Sequence, residues 1–328
     1  MPFPALPAIP ESGEFEQIPL PVPKEWQRTY VSLRGNNGQG DEIPLTGFIN
    51  SHWPAMMLQP GAVGLDMPPF EIFSDDSPNL DGSIYRGHRA AAREILLPVF
   101  IYGIDRSSMK RLKRQISSAL NPRNGFAVLT FMESDGVIRR LTCYYKGGME
   151  GAEGQDTSGF RWVSYGIQLT ALDPWFYGED EVAASWSFGT AQPMLGKFLP
   201  LTIGKGETSS GKLVVTNPGD IEAWPVWTLK GPIQSFKLKG PDGKATFQIP
   251  APAGGGNAVA AGRTLTVDCR PGFKTLLDDQ GNNYFPQLSA NPSLWSLPSG
   301  TSTIDATLVS GSGSPSVTLT FTPRYAGY

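Results

Sequence analysis

The chain is poor in the residues that most active sites and metal centres use. Its 328 residues contain two cysteines and two histidines, Cys143, Cys269, His52 and His88, with neither pair at the close spacing a structural zinc site uses. Cys143 and Cys269 stand far apart, neither in a C-x-x-C pair, in the strand-like settings LTCYY and LTVDCRP. Both read as small buried hydrophobes. Charge is scarce as well, 17% of residues with a net of −3. This argues against binding nucleic acid or an anionic membrane through bulk positive charge, and it points to surface covered by partners. No apolar run approaches the ~18 residues needed to span a bilayer. The opening MPFPALPAIPESGEFEQIPLPVP has no early positive charge and no apolar central region, so it is not expected to act as a secretion signal.

Glycine and proline are abundant instead, 38 and 30 residues, a density that interrupts long helices. Hydrophobics at 40% and aromatics at 11% still suffice for a core. The length suggests two domains, in a mainly β chain. Seven prolines fall within the first 23 residues, so 1–25 reads as an extended arm that cannot donate continuously to a sheet. Phe3, Leu6, Ile9, Phe15, Ile18 and Leu20 give that arm apolar anchors for a partner. Strand-like runs begin in WQRTYVSL and EIPLTGFI, a turn-rich stretch spans 51–82, and REILLPVFIYGI (93–104) reads as a buried strand.

One helix is predicted over 107–120, capped by Asp105 or Ser107 and ended by Pro122 and Gly125. Met109, Leu112, Ile116, Ala119 and Leu120 share a face opposite Lys110, Arg111, Lys113 and Arg114. FAVLTFMESDGVIRRLTCYY reads as a hairpin turning at Asp135-Gly136, and 161–172 as a second one. The character changes at DPWFYG (173–178), the expected boundary between a domain at 26–178 and another at 179–328. Eight short strands in the latter, KLVVTN, WPVWTL, SFKLKG, ATFQIP, TLTVDC, FKTLL, TIDATLV and SVTLTFTPRY, predict an antiparallel sandwich without helix. Residues 1–85 hold 3 basic and 11 acidic groups, and 86–140 hold 11 and 4. These segments either neutralise one another within one subunit or form complementary faces between subunits.

Enzymatic signals are weak. Gly206 to Lys212 (GETSSGK) spells most of a phosphate loop, but Leu213 stands where a hydroxyl should hold magnesium and strand rather than helix follows. Ser-His-Asp catalysis has only His52 and His88 to draw on, with no G-x-S-x-G elbow. Asp75 with Asp76, and Asp278 with Asp279, have the composition of a glycosidase pair yet sit in turn sequences. Trp175, Trp186, Trp224, Trp227 and Trp295 suit a sugar-stacking platform, core packing or an interface. No catalytic, cofactor-binding or metal-binding residue is expected.

The segment LDGSIYRGHRAAAREILLPVFIYGIDRSSMKRLKRQISSALNPRNGFAVLTF (80–131) resembles the core signature of distal tail proteins of long-tailed, non-contractile bacteriophages. A turn at Asp81-Gly82, an Arg-bearing strand at 89–93, an apolar strand at 95–104, the amphipathic helix and Asn121-Pro122 follow in the family's order. NPGDIEAWPVWTLKGP (217–232) resembles the strand opening the family's C-terminal sandwich, and LWSLPSGTSTIDATL with VTLTFTPRYAGY its closing strands. The arm and the 51–79 insert depart from the pattern. The resemblance implies an N-terminal β-sandwich or split-barrel domain with one helix, closing into a hexameric ring, and an outer galectin-like sandwich. It also implies a structural, non-enzymatic virion protein at the tail tip, assembled in the host cytoplasm. Its implied partners are the tail tube, the tip hub, the tape measure and receptor-binding proteins. The alternative is a carbohydrate-binding module using the C-terminal sandwich.

Overall fold

A computed structural model describes residues 29–46, 54–76, 81–150, 161–179, 181–187, 208–310 and 315–328. The arm at 1–25 and His52 lie outside them. In chain order come β1 (Tyr30–Arg34), β2 (Glu42–Pro44), β3 (Ala55–Leu58), β4 (Phe70–Asp76), β5 (Ser83–Ala90), β6 (Arg93–Tyr102), α1 (Arg106–Ala119), β7 (Ala127–Met132), β8 (Ile138–Gly147), β9 (Trp162–Ala171) and β10 (Phe176–Tyr177). Seven strands pair antiparallel in the order β2-β1-β7-β8-β9-β6-β3. The Leu58 amide then donates to the Leu45 carbonyl at 2.6 Å, joining the two ends of the sheet into a near-closed barrel. Closure is the general way an antiparallel sheet disposes of its unpaired edges.

Period-two alternation drives these strands. In β6, Ile95, Leu97, Val99 and Ile101 are buried on one face and meet Leu129, Leu141, Ile167 and Leu169 in a single core. The helix begins one residue before the expected start. Asp105 is the cap: its carboxylate accepts from the Ser108 amide at 2.7 Å while Ser108 Oγ accepts from the Asp105 amide, a reciprocal pair. Met109, Leu112 and Ile116 are buried as the spacing predicts, with Leu120 completing the stripe. The end of α1 lies directly on Gly35, where any Cβ would collide with the Ala119 carbonyl.

A second core follows. Its strands are β11 (Glu181–Ser187), β12 (Thr208–Asn217), β13 (Val226–Lys230), β14 (Ile233–Lys239), β15 (Thr246–Ile249), β16 (Thr264–Asp268), β17 (Thr275–Asp278), β18 (Gly300–Ser310) and β19 (Ser316–Phe321), and β20 (Arg324–Tyr325) follows them in the chain. Sheets β11-β19-β13-β16-β17 and β12-β18-β14-β15 form a sandwich around Trp227, Phe236, Phe247, Leu229 and Leu319. All eight expected strands are present.

Four local readings are corrected. The 51–82 stretch contains β3 and β4, because β6 offers Ala55–Leu58 an open edge that overrides the weak strand preference of AMML. Residues 161–172 are no hairpin but the single strand β9, held between β6 and β8. The expected strand at 89–93 is broken at Ala91-Ala92, where the Ala91 amide turns to the Pro69 carbonyl. SVTLTFTPRY divides at Thr322-Pro323, since proline offers no ladder donor. Its last residues become β20, which leaves the sandwich and pairs with β10 in the first sheet.

Candidate functional site

Most residues with catalytic potential have structural partners. His88 stands on exposed β5 in contact with the Tyr85 hydroxyl and the Phe70 ring. Asp75 pairs with Arg86 at 2.6 Å and Asp76 accepts from Ser83 Oγ at 2.7 Å. Asp278 organises its own turn, accepting from the Gln280 and Asn282 amides and from Asn282 Nδ2, with Arg263 bridging it to Asp279. Burial pushes this carboxyl up, but those hydrogen bonds outweigh it and hold the group down at about 2. The phosphate-loop sequence runs, over its described part, into β12, which pairs along its length with β18. Burial pushes both cysteine thiols up to about 12, with the Asp268 charge adding to it at Cys269. Trp227 and Trp295 meet edge to face in the second core. Among the described residues, no cluster of His, Cys, Asp and Glu has the arrangement of a metal site, and no helix is long and apolar enough to cross a membrane.

Three features remain, and each positions surfaces rather than reactive atoms. The first is the β4–β5 hairpin. Among the described residues its strands pair only with each other, and their residues are exposed or half-buried along both strands. Ion pairs Asp75–Arg86 and Glu71–Arg89 cross it, so acidic and basic segments do meet within one subunit here. Its apolar side chains have no core to enter: Ile72 is 69% and Tyr85 59% exposed. Phe70, at its base, packs edge to face on Trp175.

The second is a clasp built on Arg93, a residue that reads in the sequence as an ordinary strand arginine. It is 1% exposed. Its guanidinium donates to the carbonyls of Pro174 (2.9 Å), Gly64 (3.0 Å), Asp66 (2.5 Å) and Ala326 (2.6 Å), and lies over the Phe176 ring. Burial lowers its pKa, partly opposed by the Asp66 charge. The Asn-Pro-Gly-Asp turn supports the same segment. Asp220 donates its amide to the Arg324 carbonyl and accepts from the Ala326 amide, while Gly219 lets the Arg324 carbonyl within 2.6 Å of where a Cβ would stand. Asn217, buried, fixes the turn by donating to the Ile221 and Leu297 carbonyls. Tyr328 then stacks on Phe131 at 4.3 Å.

The third is a groove of about 740 Å³ beside this clasp. Trp175, Tyr177, Trp224, Arg270 and Phe273 line it, together with Phe321, Thr322 and Arg324. Phe273 and Leu172 at its rim are 69% and 67% exposed. Arg270 lies over Phe273 and is held by Asp268 at 2.6 Å. Burial, then the hydrogen bond to Asp173, pushes the Tyr177 hydroxyl up to about 12.

Residues 67–149, from just before β4 to just after β8, match the family model of the phage tail protein RIFT-related domain. The segment 80–131 lies wholly inside that match. No curated protein matches the chain. Among solved structures, the SPP1 Dit protein, described as a paradigm of the hub adsorption apparatus in phages infecting Gram-positive hosts, aligns with a TM-score of 0.58 at 18% identity. The alignment covers 90% of this chain and 98% of that one. Two structures of the phage P2 baseplate in its activated conformation, with Ca and with Sr, give TM-scores of 0.50 and 0.51 at 9% identity, covering 92% of this chain and 100% of theirs. Residues 67–149 thus match the phage tail RIFT-related domain, and the chain shares the fold of the SPP1 Dit protein.

Proposed function

We propose that the protein is a non-enzymatic structural component of the virion, located at the distal end of a phage tail. In this reading six copies form a ring through residues 26–178, and the ring joins the tail tube to the tip hub. The tape measure passes through it, and receptor-binding proteins attach outside. The observation that carries the reading is the β4–β5 hairpin. A lone two-stranded hairpin is marginal in water, and a row of exposed apolar side chains marks a protein–protein surface. A closed ring needs two different faces on each subunit. The β4–β5 hairpin, reaching from one copy onto the body of the next, supplies one of them, and the exposed Lys110, Arg111 and Arg114 face of α1 gives acidic neighbours a place to dock.

The carbohydrate-binding alternative has less support, since Trp227 and Trp295 are spent on core packing. Mass photometry of the purified chain tests the ring. The expected species is six times the 35.4 kDa protomer, with a specific interface of at least ~1,000 Å². Ile72→Ser combined with Tyr85→Ser should keep the far-ultraviolet circular dichroism of the wild type and return the protein to protomers. A wild-type protein that stays monomeric at micromolar concentration, and is absent from tail particles, overturns the reading.

A further inference from the structure

The groove at Trp175, Trp224 and Phe273, whose lining reaches the second core at Phe321, has a fitting occupant within the same chain. We infer that residues 14–23 of the proline-rich arm dock into this groove on their own subunit, in an extended conformation with their prolines against the aromatic walls.

Reach comes first. Thr29 Oγ1 donates to Glu133 at 2.8 Å, and Tyr30 pairs with Met132. Met132 pairs with Ile138 across the β7–β8 turn, and two residues along β8 Arg140 pairs with Tyr177, a groove residue. Three strand spacings of ~4.8 Å put the start of β1 about 15 Å across the sheet from Tyr177. The six steps from Pro23 to Thr29 span at most about 20 Å when extended. A chain leaving Thr29 is therefore within reach of Tyr177 and the groove it lines in those six steps.

Chemistry agrees with reach. Proline-rich segments bind grooves lined by aromatic side chains because their backbone is already extended and loses little entropy on docking. IPLPVP at 18–23 alternates Ile18, Leu20 and Val22 with three prolines. The groove presents Trp175, Tyr177, Trp224 and Phe273 to such a ligand. Charge does not oppose it: residues 1–23 carry Glu11, Glu14 and Glu16 and no lysine or arginine, and Arg270 and Arg324 line the groove, each already beside a carboxylate of its own, Asp268 and Glu222. The assignment concerns the protomer and holds whether or not the ring forms.

The test is a cross-link in the full chain. Leu20→Cys is combined with Phe273→Cys, and in a control with Lys110→Cys on the solvent face of α1. Cys143 and Cys269, buried with raised pKa values, stay unreactive. Under mild oxidant the groove pair should close within one chain about tenfold faster than the control, as expected for a short tether with a millimolar effective concentration. Trp224→Ala should bring the rate down to the control. Equal rates for the two pairs overturn the inference. So does a disulfide that forms between chains, which would seat a neighbour's arm in the groove. A maltooligosaccharide that binds the wild type as tightly as a variant lacking residues 1–23 would put sugar in the groove and likewise overturn it.

Discussion

Replacing Arg93 tests whether the clasp holds the chain together. Arg93→Met keeps most of the side-chain length and removes four charge-assisted hydrogen bonds at 2.5–3.0 Å. Such bonds contribute about 1.5–3 kcal/mol each. Against this, methionine no longer requires a cation to be stripped of water, which costs several kcal/mol. Some of the freed carbonyls also recover a water partner. The balance is a loss of about 3–5 kcal/mol, the size seen when one partner of a buried charged network is removed. At roughly 2–4 °C per kcal/mol for a unit of this size, the first calorimetric transition should fall by about 6–20 °C. Residues 322–328 should become cleavable by protease before the cores unfold, because Ala326 loses its hold on the first sheet while Asp220 keeps only the turn. Arg93→Lys should lie between, since one ammonium cannot span four carbonyls in different directions. A variant melting within about 1 kcal/mol of wild type, or one whose last residues stay as protected as before, would refute the account.

Three further outcomes follow from the packing. Leu112→Ala, deep in the barrel core, should cost about 2–5 kcal/mol in urea unfolding, and a loss under about 0.5 kcal/mol would remove α1 from the core. Gly35→Ala should cost about 1–3 kcal/mol by forcing the end of α1 off the sheet, with the strands keeping their circular dichroism; an unchanged midpoint would contradict the close approach. Asp278, whose pKa in the fold is about 2 against an ordinary ~3.9, stabilises the protein above the ordinary value and loses that contribution as pH falls towards 2. The melting-temperature gap between wild type and Asp278→Asn should therefore be full near pH 7 and shrink between about pH 4 and pH 2. A gap independent of pH would show that the charge is not what matters there.

Local signals carried much of this fold. The helix was legible because Asp105, the apolar spacing of Met109, Leu112 and Ile116, and Pro122 act within a few residues of one another. The sandwich strands were legible for the same reason, as turn residues such as Asp242 sit beside the alternation they interrupt; its carboxylate caps the Lys244 and Ala245 amides. What escaped the sequence depends on distant partners. AMML becomes a strand only because β6 has a free edge, and β20 becomes one only because β10 lies across from it. Arg93 is the sharpest case: its four acceptors come from Gly64, Asp66, Pro174 and Ala326, up to 233 positions away, so nothing near it announces burial. The groove was half legible. Trp175 and Trp224 stood out by type, but Phe273 and Arg270 reach it from a turn whose position only the tertiary fold sets.

The return of β20 to β10 also has a mechanical consequence. The polypeptide crosses between the barrel and the sandwich twice, outward after β10 and back after β19. A body hung on a single tether can swivel; one fastened by two neighbouring crossings resists torsion, because any rotation must shear the β10–β20 pair and peel Tyr328 from Phe131. A load applied to the outer sandwich is therefore delivered to the barrel as a turning force instead of being lost in the linker.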